Sequence, residues 1–541
     1  MTIEKDKKVF IKDLGDGVEP MSGETIGEFL LRQGIYIDQP CGGTGLCGKC
    51  RMVLEGVLPE PTSKEKKIFS EEELASGFRL ACQTKASAGM RISIPNQGSE
   101  SIKVLDAFEE TETLEIAGDN SVGNGIAVDI GTTTIVVYLV DINMRKTLAA
   151  SSGINPQTAF GADVISRISY IGNDPKRLLE LQRAVVNQIN SLIKDVLLKT
   201  GRILSKKDRI VVAGNTTMEH IFAGISPESM GKAPFEPQFY DSIEFEASDL
   251  GVEVGTGVRV RLMPNIYGFI GGDIVSGIIY SGMYKTEELS LLVDIGTNNE
   301  MVLANKDFML CCSCAAGPAL EGANIKMGMR AAPGAVDSVK INGSGIKITT
   351  INDMPPMGIC GSGLVDVVAE LLKVGIITKS GRFAKREDIK DEYLSKRLMG
   401  TKGADVSFIL ADAGEYGQNP KVELTQKDIR EIQLAKGAIA TGAEILLDTA
   451  GKKLDEIKNV YLAGAFGNYI DINNAVKISI LPDVSTDRIH PIGNSAGAGA
   501  CLMLKDPSLW EVAAGLIKKA EHIELASHKD FQDIFIKNLS F

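Results

Sequence analysis

The chain has 541 residues, with 58 Lys and Arg against 70 Asp and Glu, a formal charge of −12 and only 4 histidines. That length exceeds what one hydrophobic core supports and predicts a small module joined to one large or two medium domains. The acidic balance, without aromatic–basic interleaving, excludes nucleic acid as the expected partner. The opening MTIEKDKKVF lacks an apolar h-region, and no long uncharged apolar run follows. Neither secretion nor a membrane span is expected, and the protein is read as cytoplasmic.

Residues 1–97 read as an α+β β-grasp module of the ferredoxin type. KVFIKDLG predicts a strand, ETIGEFLLRQG has the 3.6-residue apolar spacing of a short helix, and CRMVLEG and MRISIP predict two further strands. Between them stand Cys41, Cys47 and Cys50 in QPCGGTGLCGKC, with Cys82 following in RLACQT. Four thiolates, three of them in a glycine-rich loop whose amides can turn toward sulfur, read as ligands of one [2Fe-2S] cluster. A structural zinc site would normally show two paired C-x2-C knuckles, and disulfides would require an oxidising compartment. Cys311, Cys312, Cys314, Cys360 and Cys501 form no second ligand set and read as reduced thiols, so a single cluster is expected.

Residues 98–124 turn polar and acidic and read as a linker. Beyond it, IAVDIGTTTIVVYLVD (126–141) returns as LLVDIGTNNEMVLAN (291–305), and IVVAGNTTMEHIFAG (210–224) is matched by VYLAGAFGNYI (460–470). Two pairs repeated in the same order predict a duplicated α/β domain, with lobe 1 at 125–290 and lobe 2 at 291–541. A stretch near 376–430 lacks a counterpart and reads as an insertion. Gly131 and Gly296 allow tight strand-to-strand turns, whose amides and the hydroxyls of Thr132, Thr133, Thr134 and Thr297 can bind phosphate oxygens. Asp129 and Asp294, at strand ends, suit Mg2+ held through water. A lone Asp-Gly hairpin would be no more than a turn; two copies carry the reading. GICGSGLVDVVAELL (358–372) predicts a glycine-rich turn into a helix whose N-terminus can face phosphate. The small residues of GNSAGAGACLML (493–504) predict close helix packing at the lobe junction.

The two DIGT hairpins resemble those of the acetate and sugar kinase, Hsc70 and actin superfamily of ribonuclease H-like ATPases, and 462-LAGAFG-467 resembles its adenosine motif. The resemblance implies ATP and Mg2+ between the lobes, with Thr297 and Asn298 at the phosphates and Gly464, Ala465 and Phe466 at the adenosine. Glu300 is a candidate to orient the attacking water, with a solvated strand residue as the alternative. Glu321 is a second carboxylate candidate, and His220 is a histidine that could reach the cleft.

The ferredoxin module followed by DIGTTT, DIGTNNE, SCAAGPALEGANI, GICGSGLVD and LAGAFG resembles the ATP-dependent reductive activators of corrinoid proteins. That resemblance implies electron transfer from the cluster to Co(II), regenerating Co(I) for methyl transfer. The implied partners are a corrinoid protein of a methyltransferase system and an upstream electron donor, with a homodimer among the assemblies allowed. The alternatives are an activator of another low-potential enzyme and a kinase with a redox-sensing ferredoxin module. Some such activators carry an additional middle domain, and here only a short linker is expected in its place. Others end in a cysteine-rich region, and this tail has no cysteine.

Overall fold

The structure is a computed structural model. It describes the chain apart from residues 1–6, 13–16, 34, 36, 38, 40–42, 46–47, 94–122, 297, 344, 401–402, 413, 416–420 and 468. Cys41, Cys47, Thr297 and nearly all of the expected linker therefore lie outside the described residues.

The N-terminal sheet has β1 (Phe10–Ile11), β2 (Arg51–Gly56), β3 (Phe78–Leu80) and β4 (Met90–Ser93) in the order β1-β4-β2-β3. β1 is parallel to β4, and β2 is antiparallel to both β3 and β4. The Ile26–Arg32 helix begins at a capping box: Thr25 Oγ1 accepts from the Glu28 amide and the Glu28 carboxylate accepts from the Thr25 amide. Its Ile26, Phe29 and Leu30 share one face and are buried in one cluster with Met52, Leu80 and Ile92 of the sheet. Strand β3 and two short helices, Glu65–Ile68 and Glu71–Ala75, go beyond the sequence reading. Elements this short carry too little periodicity to be read.

The next sheet contains β5 (Asn124–Ile130), β6 (Thr134–Asp141), β7 (Lys146–Ile154), β8 (Arg209–Gly214), β9 (Glu244–Glu246) and β10 (Arg259–Leu262), in the order β7-β6-β5-β8-β10-β9. Strands β5 to β7 are an antiparallel meander, and β8 lies parallel to β5. The C-terminal part starts the same way, with β11 (Ser290–Ile295), β12 (Asn299–Ala304) and β13 (Met309–Cys314). It then inserts two small sheets. One holds β14 (Ala335–Asn342), β15 (Gly345–Thr350) and β16 (Gly358–Ile359), and the other β17 (Leu398–Met399), β18 (Ser407–Ala411) and β19 (Val422–Thr425). β20 (Asn459–Ala463), β21 (Ile489–Gly493) and β22 (Ala520–His522) complete a large sheet ordered β21-β20-β11-β12-β13-β22.

Strand alternation decides where the acidic residues point. In β5, Ile126, Val128 and Ile130 face the core that includes the long Pro175–Thr200 helix, whereas Ala127 faces the core shared by both large sheets. Asp129 follows Ala127 by two and so points to the shared side. In β11, Leu291, Val293 and Ile295 face away while Leu292 faces the shared core, which puts Asp294 on the same side. The register repeats as well: Asp129 stands opposite Ala213 of β8, and Asp294 opposite Ala463 of β20.

Two helices, Gly272–Ser281 and Ser495–Lys505, fill the shared core. A methyl group at Gly499 would lie 2.3 Å from the Ser276 carbonyl oxygen, so the expected close packing of small residues is present. Among the described residues no helix is long and apolar enough to cross a membrane.

Candidate nucleotide cleft and cysteine site

A cavity of about 290 Å³ opens between the two large sheets. It gathers Asp129, Gly131, Thr132, Thr133 and Thr134 from the β5–β6 hairpin and Asp294, Gly296, Asn298 and Glu300 from the β11–β12 hairpin. Gly464, Phe466 and Glu321 also line it, as does Ser362 at the start of the Gly361–Lys373 helix. Ala465 lies in the short Gly464–Gly467 turn of helix at the end of β20.

The hairpin turn is tied down from behind. Asn155 Nδ2 donates to the Gly131 carbonyl at 2.8 Å, the Arg167 guanidinium donates to the Thr132 carbonyl, and the Asn155 amide donates to the Thr133 carbonyl at 2.8 Å. In a trans peptide the N–H points opposite its C=O, so the amides of Thr132 and Thr133 are turned away from those anchors. They form a concave set of donors suited to an anion. Arg167 is fully buried, which lowers its pKa to about 9, and it also donates to the Gly161 carbonyl at 3.0 Å and Gln157 Oε1 at 3.1 Å.

Carboxylates crowd the cavity floor. Glu300 is buried directly across the hairpin from Asp294, which excludes a solvated strand position for it. Burial pushes Asp294 up to about 6. Burial, reinforced by the charge of Asp294, pushes Asp129 up to about 7 against the lowering hydrogen bond from Asn494. Asp273, at the start of the Gly272–Ser281 helix, is pushed to about 8 by burial and by Asp294 and Asp129. Glu300 is raised well above the ordinary range by burial and then by Asp273 and Asp294. Four carboxylates held this close in a partly desolvated cleft are the donor set a hydrated divalent cation would neutralise. Among the described residues no group of three or more His, Cys, Asp or Glu is placed to hold a metal ion directly.

Among the cleft-lining residues that were not legible as site residues are Asp273, Asn215, Asn494 and Arg330. Asp273 follows a Gly-Gly pair at a helix start, a weak signal. Asn215 and Asn494 follow Gly214 and Gly493 at strand ends, and each caps the next helix: Asn215 Oδ1 accepts from the Met218 amide and Asn494 Oδ1 from the Gly497 amide. The recurring Gly-Asn-Ser/Thr triplet was the available clue. His220 does not reach the cavity; it is buried, stacked on Phe239 and hydrogen-bonded to Thr216 and Gln238. Burial raises the Cys311, Cys312 and Cys314 thiols, so they are protonated.

In the N-terminal module, Cys50 Sγ and Cys82 Sγ face each other at 3.3 Å, close enough for both thiolates to ligate one iron–sulfur core. A methyl group at Gly45, which has φ of 73°, would lie 2.6 Å from Gln83; the Gln83 amide donates to the Gly43 carbonyl at 2.6 Å and reaches Cys82 Sγ at 3.5 Å. The donor chemistry and the tightly turned loop both fit the cluster. The module touches the C-terminal part of the chain, where Lys49 Nζ donates to the Gly328 carbonyl at 3.3 Å.

Three family descriptions match the chain: "2Fe-2S iron-sulfur cluster binding domain" at 9–87, "RACo middle region" at 124–286 and "C-terminal domain of RACo the ASKHA domain" at 288–541. The corrinoid activation enzyme RamQ of Eubacterium limosum is 36% identical over 504 residues, covering 92% of this chain and 81% of the relative. The chain belongs to the reductive activators of corrinoid proteins. A second member, the Co(II) methylated amine-specific corrinoid protein reductase of Methanosarcina barkeri, is 25% identical over 450 residues, covering 77% of each chain. A solved reductive activator for corrinoid, iron-sulfur protein superposes with a TM-score of 0.69 at 31% identity, covering 99% of this chain and 98% of that one. These matches correct one expectation. The middle region is present, and it occupies the β5–β10 sheet. The middle region read as missing because its hairpin and parallel strand look like an actin-like lobe rather than a separate module.

Proposed function

We propose that the protein uses ATP to move one electron from its [2Fe-2S] cluster to the Co(II) centre of a corrinoid protein in a methyltransferase system, returning it to Co(I). The cluster, where bound, would supply the single electron that cobalt takes up, with no proton or group moved and with an upstream donor restoring the electron. The observation that carries the reading is the pairing, in a member of the activator family, of two facing cysteine sulfurs with an acid-lined cleft between two sheets. A coupling of roughly 1–3 kcal/mol would shift an apparent one-electron potential by about 45–130 mV, enough to assist an uphill transfer.

We infer the following roles. Cys41, Cys47, Cys50 and Cys82 hold the cluster. Bound ATP and Mg2+ would supply phosphoanhydride free energy and further positive charge beside the four carboxyls of the cleft, where Arg330 is the cationic lining residue. Asp129 and Asp294 orient the hydrated Mg2+. The turn amides with Thr132, Thr133, Thr134, Thr297 and Asn298 hold phosphate oxygens, with Gly131 and Gly296 shaping the turns. Gly464, Ala465 and Phe466 flank the adenosine. Glu300, buried across the hairpin from Asp294, orients the attacking water.

The divisions 1–97, 98–124, 125–290 and 291–541 follow from the same reading, with an insertion near 376–430. The matched registers at Asp129 and Asp294 support descent of both lobes from one ribonuclease H-like unit. A mixed sheet of order β1-β4-β2-β3 covered by one helix supports a β-grasp first domain. The test mixes anaerobically reduced protein, Mg2+·ATP and a Co(II) corrinoid protein and follows the cobalt absorbance. ATP-dependent conversion to Co(I) supports the proposal. Phosphoryl transfer to a small molecule with no cobalt reduction by any candidate partner would favour the kinase alternative.

A further inference from the structure

Glu321 enters the cleft on an element of its own. It ends the short Pro318–Glu321 helical turn, which lies between Gly317 with φ of 75° and Gly322 with φ of 80°. Ala319 and Leu320 of that turn are buried in the core of the C-terminal part. The surrounding backbone leaves no slack. A methyl group at Gly322 would lie 2.6 Å from the Met329 carbonyl oxygen, and one at Gly361 would lie 2.0 Å from the Leu320 carbonyl oxygen. Only glycine fits at either position, so the turn is held in place by its neighbours. Glu321 is half-buried at the end of this turn and lines the cavity, and its Oε2 accepts from Thr133 Oγ1 at 3.5 Å. The two residues are 188 positions apart, so the contact joins the C-terminal part to the β5–β6 turn.

The other acidic side chains of the cleft are placed differently. Asp129, Asp273 and Asp294 lie on the floor where the hydrated cation is inferred, and burial favours the protonated form of Glu300. A protonated carboxyl can hold a water but cannot take its proton. Thr133 has a single hydroxyl proton. Once that proton is given to a phosphate oxygen, the Glu321 carboxylate must accept from water instead. A carboxylate beside a phosphate-holding hydroxyl meets the phosphate across such a water, because direct contact between like charges is costly.

We propose that Glu321 is a catalytic residue, the general base that takes a proton from the water attacking the terminal phosphate. The inference rests on the ATPase reading of the cleft. The water oxygen bonds to phosphorus, the bond from phosphorus to the bridging oxygen breaks with its electron pair leaving on ADP, and the water proton passes to the Glu321 carboxylate. Glu321 then gives it to solvent through its exposed side, while Glu300 holds the water from the floor.

The experiment uses full-length protein with Mg2+·ATP, with and without a Co(II) corrinoid protein, and compares the parent, Glu321→Gln and Glu300→Gln. Glutamine keeps the length of the side chain and an oxygen to accept from Thr133, but it cannot act as the base. Glu321→Gln should lower kcat by roughly 100-fold or more. Its calorimetric Kd for a non-hydrolysable ATP analogue with Mg2+ should be no weaker than the parent's, and its melting temperature and cluster spectrum should match the parent's. Nucleotide recovered from the loaded variant after a fixed incubation should be ATP, where the parent's is ADP. Glu300→Gln replaces one neutral group by another and should lose less activity than Glu321→Gln. A parent-like kcat in Glu321→Gln would overturn the proposal. So would a rate loss matched by an equal loss of affinity, which would make Glu321 a binding residue, or a larger rate loss in Glu300→Gln. A parent protein that hydrolyses no ATP with or without the corrinoid protein would instead overturn the ATPase reading.

Discussion

Binding of Mg2+·ATP should release protons, and the amount follows from the cleft carboxyls. Asp129, Asp273 and Asp294 are raised to about 7, 8 and 6, from an ordinary value of 3.8. At pH 7 the first is then half protonated, the second nearly fully and the third hardly at all. Neutralising the three aspartates with a hydrated divalent cation would expel on the order of one to two protons at pH 7 and well under one at pH 8.5, and Glu300, raised further still, adds to that count if it too ionises. The sign for stability follows from the same shifts. A carboxyl with a raised folded-state pKa contributes stability that is fully present below its unfolded value and is lost as pH rises through its folded value. Without nucleotide the protein should therefore melt progressively lower between pH 6 and pH 8.5, and Mg2+·ATP should narrow that difference. Calorimetric titration of Mg2+·ATP at pH 7 in two buffers of different ionisation enthalpy measures the proton count directly. Binding heats that do not depend on the buffer at pH 7 would refute the argument that these carboxyls enter the complex ionised.

Asp294→Asn and Asp129→Ala should each cut ATP hydrolysis by roughly two or more orders of magnitude, while the visible spectrum of the cluster is unchanged. Parent-rate hydrolysis in both variants would remove these residues from the site. Cys50→Ala or Cys82→Ala should abolish cluster incorporation and leave the thermal transition of the large sheets in place. Iron analysis of the parent should find close to two irons per chain, as one [2Fe-2S] cluster requires; close to four would mean a second cluster. Gly499→Ala places a methyl group 2.3 Å from the Ser276 carbonyl. Forcing that helix pair apart should cost about 1–3 kcal/mol, measurable as a lower melting midpoint. A Gly499→Ala midpoint equal to the parent's would show that the pair has room the geometry does not reveal.

Features carried by local periodicity were legible before any folding was considered. The DIGT hairpins announce themselves because an apolar strand, an aspartate and a glycine turn sit within a few residues, and strand alternation then fixes which way Asp129 and Asp294 point. The Thr25 capping box and the apolar spacing through Phe29 and Leu30 likewise specify their helix from within. Small residues in 493–504 forecast a close helix contact, though not that Ser276 would be the neighbour. The tertiary structure alone decided what meets across long stretches of chain. Arg167 braces the Thr132 carbonyl from 35 residues away, and Asn494 reaches Asp129 from 365. Each of these residues has an ordinary local role, a core-facing helix position or a helix cap, that fully explains its presence in a sequence. Their second role arises only when closure of the sheets excludes water and makes an unpaired polar group costly, a condition set by the whole fold and by no segment of it.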